Sequence, residues 1–527
     1  MNMISHAAIE EQGLASSEQE HLSMPLLNKR ILVIGGSRGP KSLSYWKIAC
    51  EAGAESVLVA INPNHVPALT KDMQSLPLNV LCKIRLIPIA RLTAHVTGVS
   101  NDIAGEIIKG NGGILAIDAC ITFQDDMLQV TADLANIFNV PACDQVGMGC
   151  TINKHKFRQA LSHDDKLGNI AFSTLEEFLA GAAPSNLQFP VVIKPSEGCG
   201  SSGVFIIQSM DELHKAKAAY DIDRVGRNLP IHGYEDWLVE EFLEGPELGV
   251  ELIMSEGEAV FASVMEATKT PPPLFQGTGR FYPTSLGRDA DDIIASECIR
   301  AAKLLGLNNS VIDIDCKWVP GRGMIFIEIN SRMGGHSVGL MHENIFGINL
   351  VLEHFRVGCG KVTSTLAATE PTGLCTSVDD DLVEGHNHDH TSVSLPEHFY
   401  TRIVLSEKSG VFVMENKHFK DRLLEELPDY LKPLLRDARL GKETGSRVNS
   451  DIMPVIMGFV LANGSNTEEA KSNAEQLRVH ASRLINDNII VVPPATTKDV
   501  SICEPIDSFS MGLVEGQVEV IESFVSS

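Results

Sequence analysis

At 527 residues the chain has room for three or more domain-sized units, and 44% hydrophobic against 21% charged residues is the make-up of a globular protein with a full-sized core. Its formal charge of −25, from 43 basic and 68 acidic residues, argues against nucleic acid or an anionic membrane as a partner. A chain this acidic can hold an anion only by placing individual Lys or Arg side chains against it.

Residues 1 to 28 show no periodicity and read as a disordered tail. The segment is polar and acidic, with neither a basic n-region nor an apolar h-region, so a signal peptide is not expected. No run reaches the roughly 18 apolar residues of a membrane span. The 11 cysteines include no CxxC pair and read as reduced thiols. A cytoplasmic protein is the expectation.

Regular structure begins at Arg30, where ILVIGG reads as a buried parallel strand running into a turn. A helix over 43–52, strands over 56–61 and 114–117, and an amphipathic helix over 127–138 follow. This alternation predicts a doubly wound α/β domain over 29–150. Gly35-Gly36-Ser37-Arg38-Gly39 reads as a tight turn. The Gly39-Pro40-Lys41-Ser42 stretch is no Walker A loop, because proline separates the glycine from the lysine.

The motifs that carry chemistry fall in residues 151–360. Val191, Val192 and Ile193 form a buried-strand pattern ending in Lys194-Pro195, and the chain then opens into Glu197-Gly198-Cys199-Gly200-Ser201-Ser202-Gly203. Glycines permit positive φ and let bare amides approach an anion, while the lysine adds a point charge suited to polyphosphate. Further on, WLVEEFLEGPELGVE places Glu240 and Glu241 at the end of a strand that Gly245-Pro246 breaks before Glu247. A strand edge followed by a carboxylate suits an adenosine, with backbone pairing to the base and the acid to the ribose. Taken alone, however, the same residues are better read as a turn between two strands with acids facing solvent.

In VIDIDCKWVPGRGMIFIEINSRMGG, strict alternation puts Asp313, Asp315 and Lys317 on one face of a strand and Ile312, Ile314 and Cys316 on the other. After the Pro320-Gly321-Arg322-Gly323 turn, alternation over 325–330 places Glu328 and Asn330 on one face. The hairpin thus gathers Asp315, Glu328 and Asn330 as hard oxygen ligands of the kind Mg²⁺ takes. Arg332 follows as a planar fork for phosphate or another anion.

The stretch 363–396 is polar and contains Asp379-Asp380-Asp381 and alternating His386, His388 and His390. A solvated loop is favoured there over a metal site. TRIVLSEKSGVFVM then reads as two strands around a Ser-Gly turn, 418–440 as helical, and a strand–helix unit with Asn466 or Thr467 as its cap closes the fold. A small α+β domain over 361–500 and a tail over 501–527 are expected.

Lys154, the strand–lysine–glycine loop, VEEFLEGPE and IEINSRMGG occur in an order and spacing that resemble the ATP-grasp superfamily of carboxylate–amine ligases, over roughly residues 30 to 490. EINSRMGG and the long helix expected over GINLVLEHFRVG are most similar to bacterial L-amino-acid ligases and carnosine synthase. The resemblance implies an α/β fold: an N-terminal doubly wound domain, an ATP-grasp fold over 151–360 with a mobile lid near 160–240, and the small α+β C-terminal domain. It implies ATP and Mg²⁺ as cofactors, with Mn²⁺ as an alternative metal, and small-molecule carboxylate and amine substrates. The reaction implied is an ADP-forming ligation through an acyl-phosphate.

Residue by residue, the resemblance implies that Lys154 and Lys194 contact phosphates under a lid loop of Gly198, Gly200, Ser201, Ser202 and Gly203. Glu240 and the backbone of Glu241 and Leu243 would hold adenine, and Glu247 the ribose. Asp315, Glu328 and Asn330 would bind metal, Arg332 would steady the transferring phosphoryl group, and Gly334, Gly335 and His336 would lie against the substrate carboxylate. Two departures stand out. Asp315 occupies a position where Glu is usual, and Gly277 one where relatives often carry a carboxylate for the donor's α-amino group. Glu266 could supply that anion, and Arg280 suggests a second carboxylate on the substrate. A purine-type ligase or carboxylase and a nucleotide-binding non-enzyme are the rival readings; the retained metal ligands and Lys194 argue against the second. The oligomeric state stays open, a homodimer being one option.

Overall fold

A computed structural model of the chain describes residues 24–36, 40–92, 98, 100–113, 116–198, 203–216, 237–269, 277–335, 337–360, 398–406, 410–414, 419–440, 447–448 and 455–490. The polar stretch 363–396, the expected C-terminal tail, the loop residues Gly200, Ser201 and Ser202, and His336 lie outside the described residues.

The apolar runs near the N-terminus form a parallel sheet of β1 (Arg30–Ile34), β2 (Ser56–Ile61), β3 (Ile84–Pro88) and β4 (Ala119–Ile121), in the order β3-β2-β1-β4. Both faces of β1 and β2 are buried, as their unbroken hydrophobic runs require. β4 lies further along than the 114–117 expected for this strand. The run ILAIDACI is apolar almost throughout, so hydrophobicity alone cannot set the register. Asp118 does so, accepting from the Arg30 amide at 2.9 Å and from Arg30 Nε at 3.0 Å. The tail expected through residue 28 also ends earlier, since Leu26 is fully buried and donates its amide to Ala52 O at 2.9 Å. Gly35 and Gly36 take φ of +85° and +140°, and side chains there would run into Gln124 and Trp46. Steric closeness is reason enough for this turn's glycines.

β5 (Phe172–Thr174), β6 (Val191–Pro195), β7 (Phe205–Ile207) and β8 (Trp237–Glu241) make a separate antiparallel sheet in the order β5-β8-β6-β7. Its own small core includes Val191, Ile193, Trp237 and Val239. This is the region expected as a lid.

The centre of the molecule is an eight-stranded sheet. It contains β9 (Glu247–Ser255), β10 (Glu258–Lys269), β11 (Gly277–Tyr282), β12 (Ser310–Val319), β13 (Gly323–Asn330) and β14 (His398–Ser406). β15 (Gly410–Phe412) belongs elsewhere, while β16 (Leu435–Leu440) and β18 (Val455–Gly464) complete the central sheet, with β17 (Arg447–Val448) between them in the chain. The order is β13-β12-β9-β10-β11-β14-β18-β16. β15, β17 and β19 (Ile489–Ile490) form a three-stranded sheet of their own.

The C-terminal architecture departs from the expected one in several places. β14 pairs with β11, Phe281 opposite Tyr400, so the C-terminal strands extend the central sheet directly. Within 418–440 the α-helix is confined to Phe419–Glu426, a short 3₁₀ turn covers Lys432–Leu434, and Leu435–Leu440 is strand, with Leu435, Ala438 and Leu440 buried. β14 and β15, read as two strands around one turn, join different sheets. The long helix expected over GINLVLEHFRVG is nine residues, Leu350–Gly358, capped by Asn349 on Leu352 N. Asn466 caps the last helix on Glu469 N, as expected.

Strand parity decides what the central sheet presents on each side. Leu248, Val250, Leu252, Ile312, Ile314, Cys316, Ala262 and Val264 share a core with the helix Arg288–Leu304. The other face carries Glu247, Glu251, Asp313 and Asp315, interrupted further along by Ile253, Val311 and Met265. Those apolar residues join the helices Val338–Phe346 and Leu350–Gly358 and the N-terminal sheet in one core, so that sheet is fixed against the charged face. Among the described residues no helix is long and apolar enough to cross a membrane.

Candidate active site

The charged face is built from the β12–β13 hairpin. Asp315 stands opposite Glu328 and Asp313 opposite Asn330, with a bulge after Asp315 that shifts the register. The three residues expected to share a face therefore do so. Burial, reinforced by the charge of Asp313, pushes the Asp315 carboxyl up to about 7 against the pull of Arg280 and Lys269. Burial would raise Glu328 as well, but the charges of Lys154 and Lys194 and the Lys154 hydrogen bond overcome it and hold Glu328 at about 2. Two carboxylates thus face each other across the hairpin, Glu328 beside Lys154 and Asp315 beside Arg280.

Lys154 opens the helix Lys154–Leu161, whose N-cap Asn153 accepts from Lys156 N. Its Nζ donates to Gly198 O at 2.9 Å and lies 3.2 Å from Glu328 Oε2. Its backbone amide donates to Ser196 O at 2.8 Å. The glycine loop is thereby tied at its root to the carboxylate hairpin. Lys194 sits 2.6 Å from Glu240 Oε2, and Arg158 Nε lies 2.5 Å from Glu240 Oε1. All three side chains are buried, and the two cations hold Glu240 at about 2 against the opposing effect of burial. Arg158 also donates to Ile327 O at 3.2 Å, linking the lid sheet to β13.

The residues expected around an adenosine are engaged in the same region. Glu241 takes a bidentate fork from Arg322, both N–O distances 2.8 Å, and its amide donates to Ala171 O. Lys317 Nζ donates to Leu243 O at 3.0 Å and lies 5.8 Å from the centre of the Phe242 ring. Glu247 is paired with Lys269.

Arg332 is held rigidly. Its Nε lies 2.5 Å from Asp125 Oδ1 and its Nη1 donates to Asp313 Oδ2 and to Met333 O, each at 3.0 Å. The flanking acids raise its pKa further despite burial. Gly334 donates its amide to Glu251 Oε1 at 2.9 Å, and a side chain at Gly334 would overlap that carboxylate. Burial and the neighbouring Asp313 push Glu251 well above the usual carboxylate range. Gly335 has open space around its Cα. Arg280 reaches across the sheet to Asp315, Nη2 to Oδ1 at 3.5 Å.

Glu266 is a correction. It lies on the opposite face of the sheet, accepting from Ser285 N at 2.9 Å and Ser285 Oγ at 2.6 Å. Ala262 and Val264 pack into the core beneath the helix Arg288–Leu304, and Glu266 shares their parity. It cannot stand in for a carboxylate at Gly277. Sequence reasoning also missed Asp125, Glu251, Arg158 and Lys269. Glu251 follows Glu247 and Gly249 at period two, and Arg158 follows Lys154 at i+4, so both carried a signal. Asp125 carried none, being 207 residues from its partner Arg332.

Among the described residues no group of three or more His, Cys, Asp or Glu is arranged to hold a metal ion. The hairpin instead offers two carboxylates and one amide. This donor set fits Mg²⁺, which takes one or two protein carboxylates and completes its shell with water and phosphate oxygens.

Residues 187–339 match the family described as the ATP-grasp domain. Carnosine synthase 1 of Homo sapiens is 25% identical over 345 residues, which are 63% of this chain and 40% of that protein. Dapdiamide A synthase of Enterobacter agglomerans is 25% identical over 250 residues, 46% of this chain and 53% of the relative. The chain thus spans about two-fifths of the length of the carnosine synthase it matches. The crystal structure of an L-amino acid ligase from Bacillus licheniformis superposes with a TM-score of 0.61 at 17% identity, covering 86% of this chain and 98% of that one. That likeness is one of fold.

Proposed function

We propose that this chain, a member of the ATP-grasp superfamily, is an ADP-forming ligase that joins a small carboxylate to an amine through an acyl-phosphate, making an amide or dipeptide. One observation carries the reading: Lys154 joins the root of a glycine loop to Glu328, directly opposite Asp315, on the face that also bears Arg280 and Arg332.

In this reading Lys154 and Lys194 neutralise phosphate charge, and the glycine loop covers the reacting groups and excludes water that would hydrolyse the acyl-phosphate. Mg²⁺ held by Asp315, Glu328 and Asn330 would supply further neutralisation of the phosphates. Arg332, fixed by Asp125 and Asp313, presents its fork to the transferring phosphoryl group with little reorganisation. The donor carboxylate lies by Gly334 and Gly335, and Arg280 favours a donor with a second anionic group. The adenine and ribose lie along Glu240, Glu241, Leu243 and Glu247.

The test is coupled nucleotide release with Mg-ATP against a matrix of amino acids and small carboxylates, singly and in pairs. ADP and phosphate released only with a particular pair, with a product mass equal to their sum less water, supports the reading. AMP and pyrophosphate, or release without an amine-containing product, overturns it.

A further inference from the structure

The central sheet brings one C-terminal residue to the donor side of the site. β14 pairs with β11 at Phe281–Tyr400 and Tyr282–Phe399. The next residue along the β11 edge is Arg280, and there the Thr401 side chain takes over from the ladder. The Arg280 amide donates to Thr401 Oγ1 at 3.0 Å, and Thr401 Oγ1 donates to Arg280 O at 3.2 Å. The same hydroxyl lies 3.0 Å from Ser337 Oγ, whose proton it can accept. One donor and two acceptor sites are thereby filled, the full capacity of a hydroxyl.

Thr401 is fully buried and Ser337 is 3% exposed. Gly279 completes the approach, because a side chain there would overlap Thr401 O. The hydroxyl therefore fixes two separate segments at once: the backbone of Arg280, whose guanidinium reaches Asp315, and the start of the helix Val338–Phe346, which follows directly on Gly334 and Gly335.

We propose that Thr401 is a positioning residue through which the C-terminal strands set the donor subsite, aligning Arg280 with the Gly334–Gly335 segment for a carboxylate-bearing donor. The inference rests on the ligase reading above. Thr401 touches no nucleotide-binding residue named there, so its effect falls on the donor and not on ATP.

The experiment uses the full chain with Thr401→Val, Thr401→Ser, Arg280→Ala and the Thr401→Val/Arg280→Ala double variant. KM for donor, amine and ATP is measured separately, alongside the melting temperature. Thr401→Val raises the donor KM about tenfold, the scale of one lost buried hydrogen bond, and leaves the ATP KM within about twofold. Thr401→Ser keeps the hydroxyl and restores the donor KM. In the Arg280→Ala background the valine substitution adds little, because the group it positions is gone. An unchanged donor KM in Thr401→Val, or equal losses for donor and ATP, overturns the inference while the ligase reading stands. A wild-type chain that ligates no donor–amine pair overturns both.

Discussion

Arg280 crosses the sheet directly over Gly249: a side chain at residue 249 would occupy the space of the Arg280 guanidinium. Gly249 stands opposite Asp315 on one side and Met265 on the other, so its missing side chain opens the channel through which Arg280 reaches Asp315. The close approach of Arg280 thus accounts for glycine at a strand interior, where it otherwise weakens pairing.

Gly249→Ala tests that channel. The obstructed atoms are the far end of a side chain, which can swing aside, so the loss of stability should stay within about 1–3 kcal/mol. Arg280 can no longer lie against Asp315, and kcat/KM for the donor falls about tenfold or more, as for a lost charged contact. Steady-state kinetics beside a denaturant melt checks both. A donor kcat/KM equal to wild type contradicts the role given to Arg280.

Glu328→Gln keeps the shape of the hairpin but removes the charge that Lys154 contacts. ADP formation should fall about a hundred- to a thousandfold, the scale seen when a preorganised electrostatic contact in an active site is lost. The circular dichroism spectrum and the cooperativity of unfolding should persist. Wild-type ADP release in this variant would exclude Glu328 as a metal ligand.

Asp125→Asn probes the link between the N-terminal sheet and Arg332. Asparagine preserves volume but weakens the charge-assisted contact that fixes the guanidinium. kcat should drop about ten- to a hundredfold with ATP and donor KM little changed, the pattern expected when an interaction in the transition state is loosened. Equal rises in every KM would point instead to a general loss of structure.

His354 offers a test by pH. Its Nε2 donates to Thr122 O at 2.9 Å, its Nδ1 accepts from Val311 N at 3.4 Å, and burial holds it down at about 4. In the unfolded chain the imidazole titrates near 6.5. Between those values the unfolded state binds more protons, so this contribution is complete above about 6.5 and is lost as pH falls towards 4. It amounts to on the order of 3 kcal/mol. Buried carboxyls such as Asp291, raised to about 6 by burial, act with the opposite sign, so the informative quantity is the difference between wild type and His354→Gln. Urea melts at pH 7 and pH 4.5 should show the wild type losing more stability than the variant; parallel curves would contradict a neutral buried His354.

Much of the site was legible because strands have a period of two. Asp315, Glu328 and Asn330 came together as alternation required, and the bulge after Asp315 did not break the match. The same parity would have put Glu266 on the core face with Ala262 and Val264, had it been followed along β10. What could not be read is long-range: Asp125 meeting Arg332, and β14 joining β11 to run the C-terminal strands into the central sheet. No local pattern encodes such pairings, because each depends on how separate units pack. The displaced β4 shows the complementary limit, in which an evenly apolar run fixes a strand's existence but leaves its register to a single ion pair, Asp118 with Arg30.

The most direct test of acyl-phosphate ligation is isotope transfer. With a donor carboxylate labelled with ¹⁸O, single-turnover reaction with ATP and amine should yield inorganic phosphate carrying one ¹⁸O atom, and unlabelled ADP. Label appearing in AMP would show attack at the α-phosphate, and unlabelled phosphate would show hydrolysis without carboxylate activation; either result contradicts the mechanism.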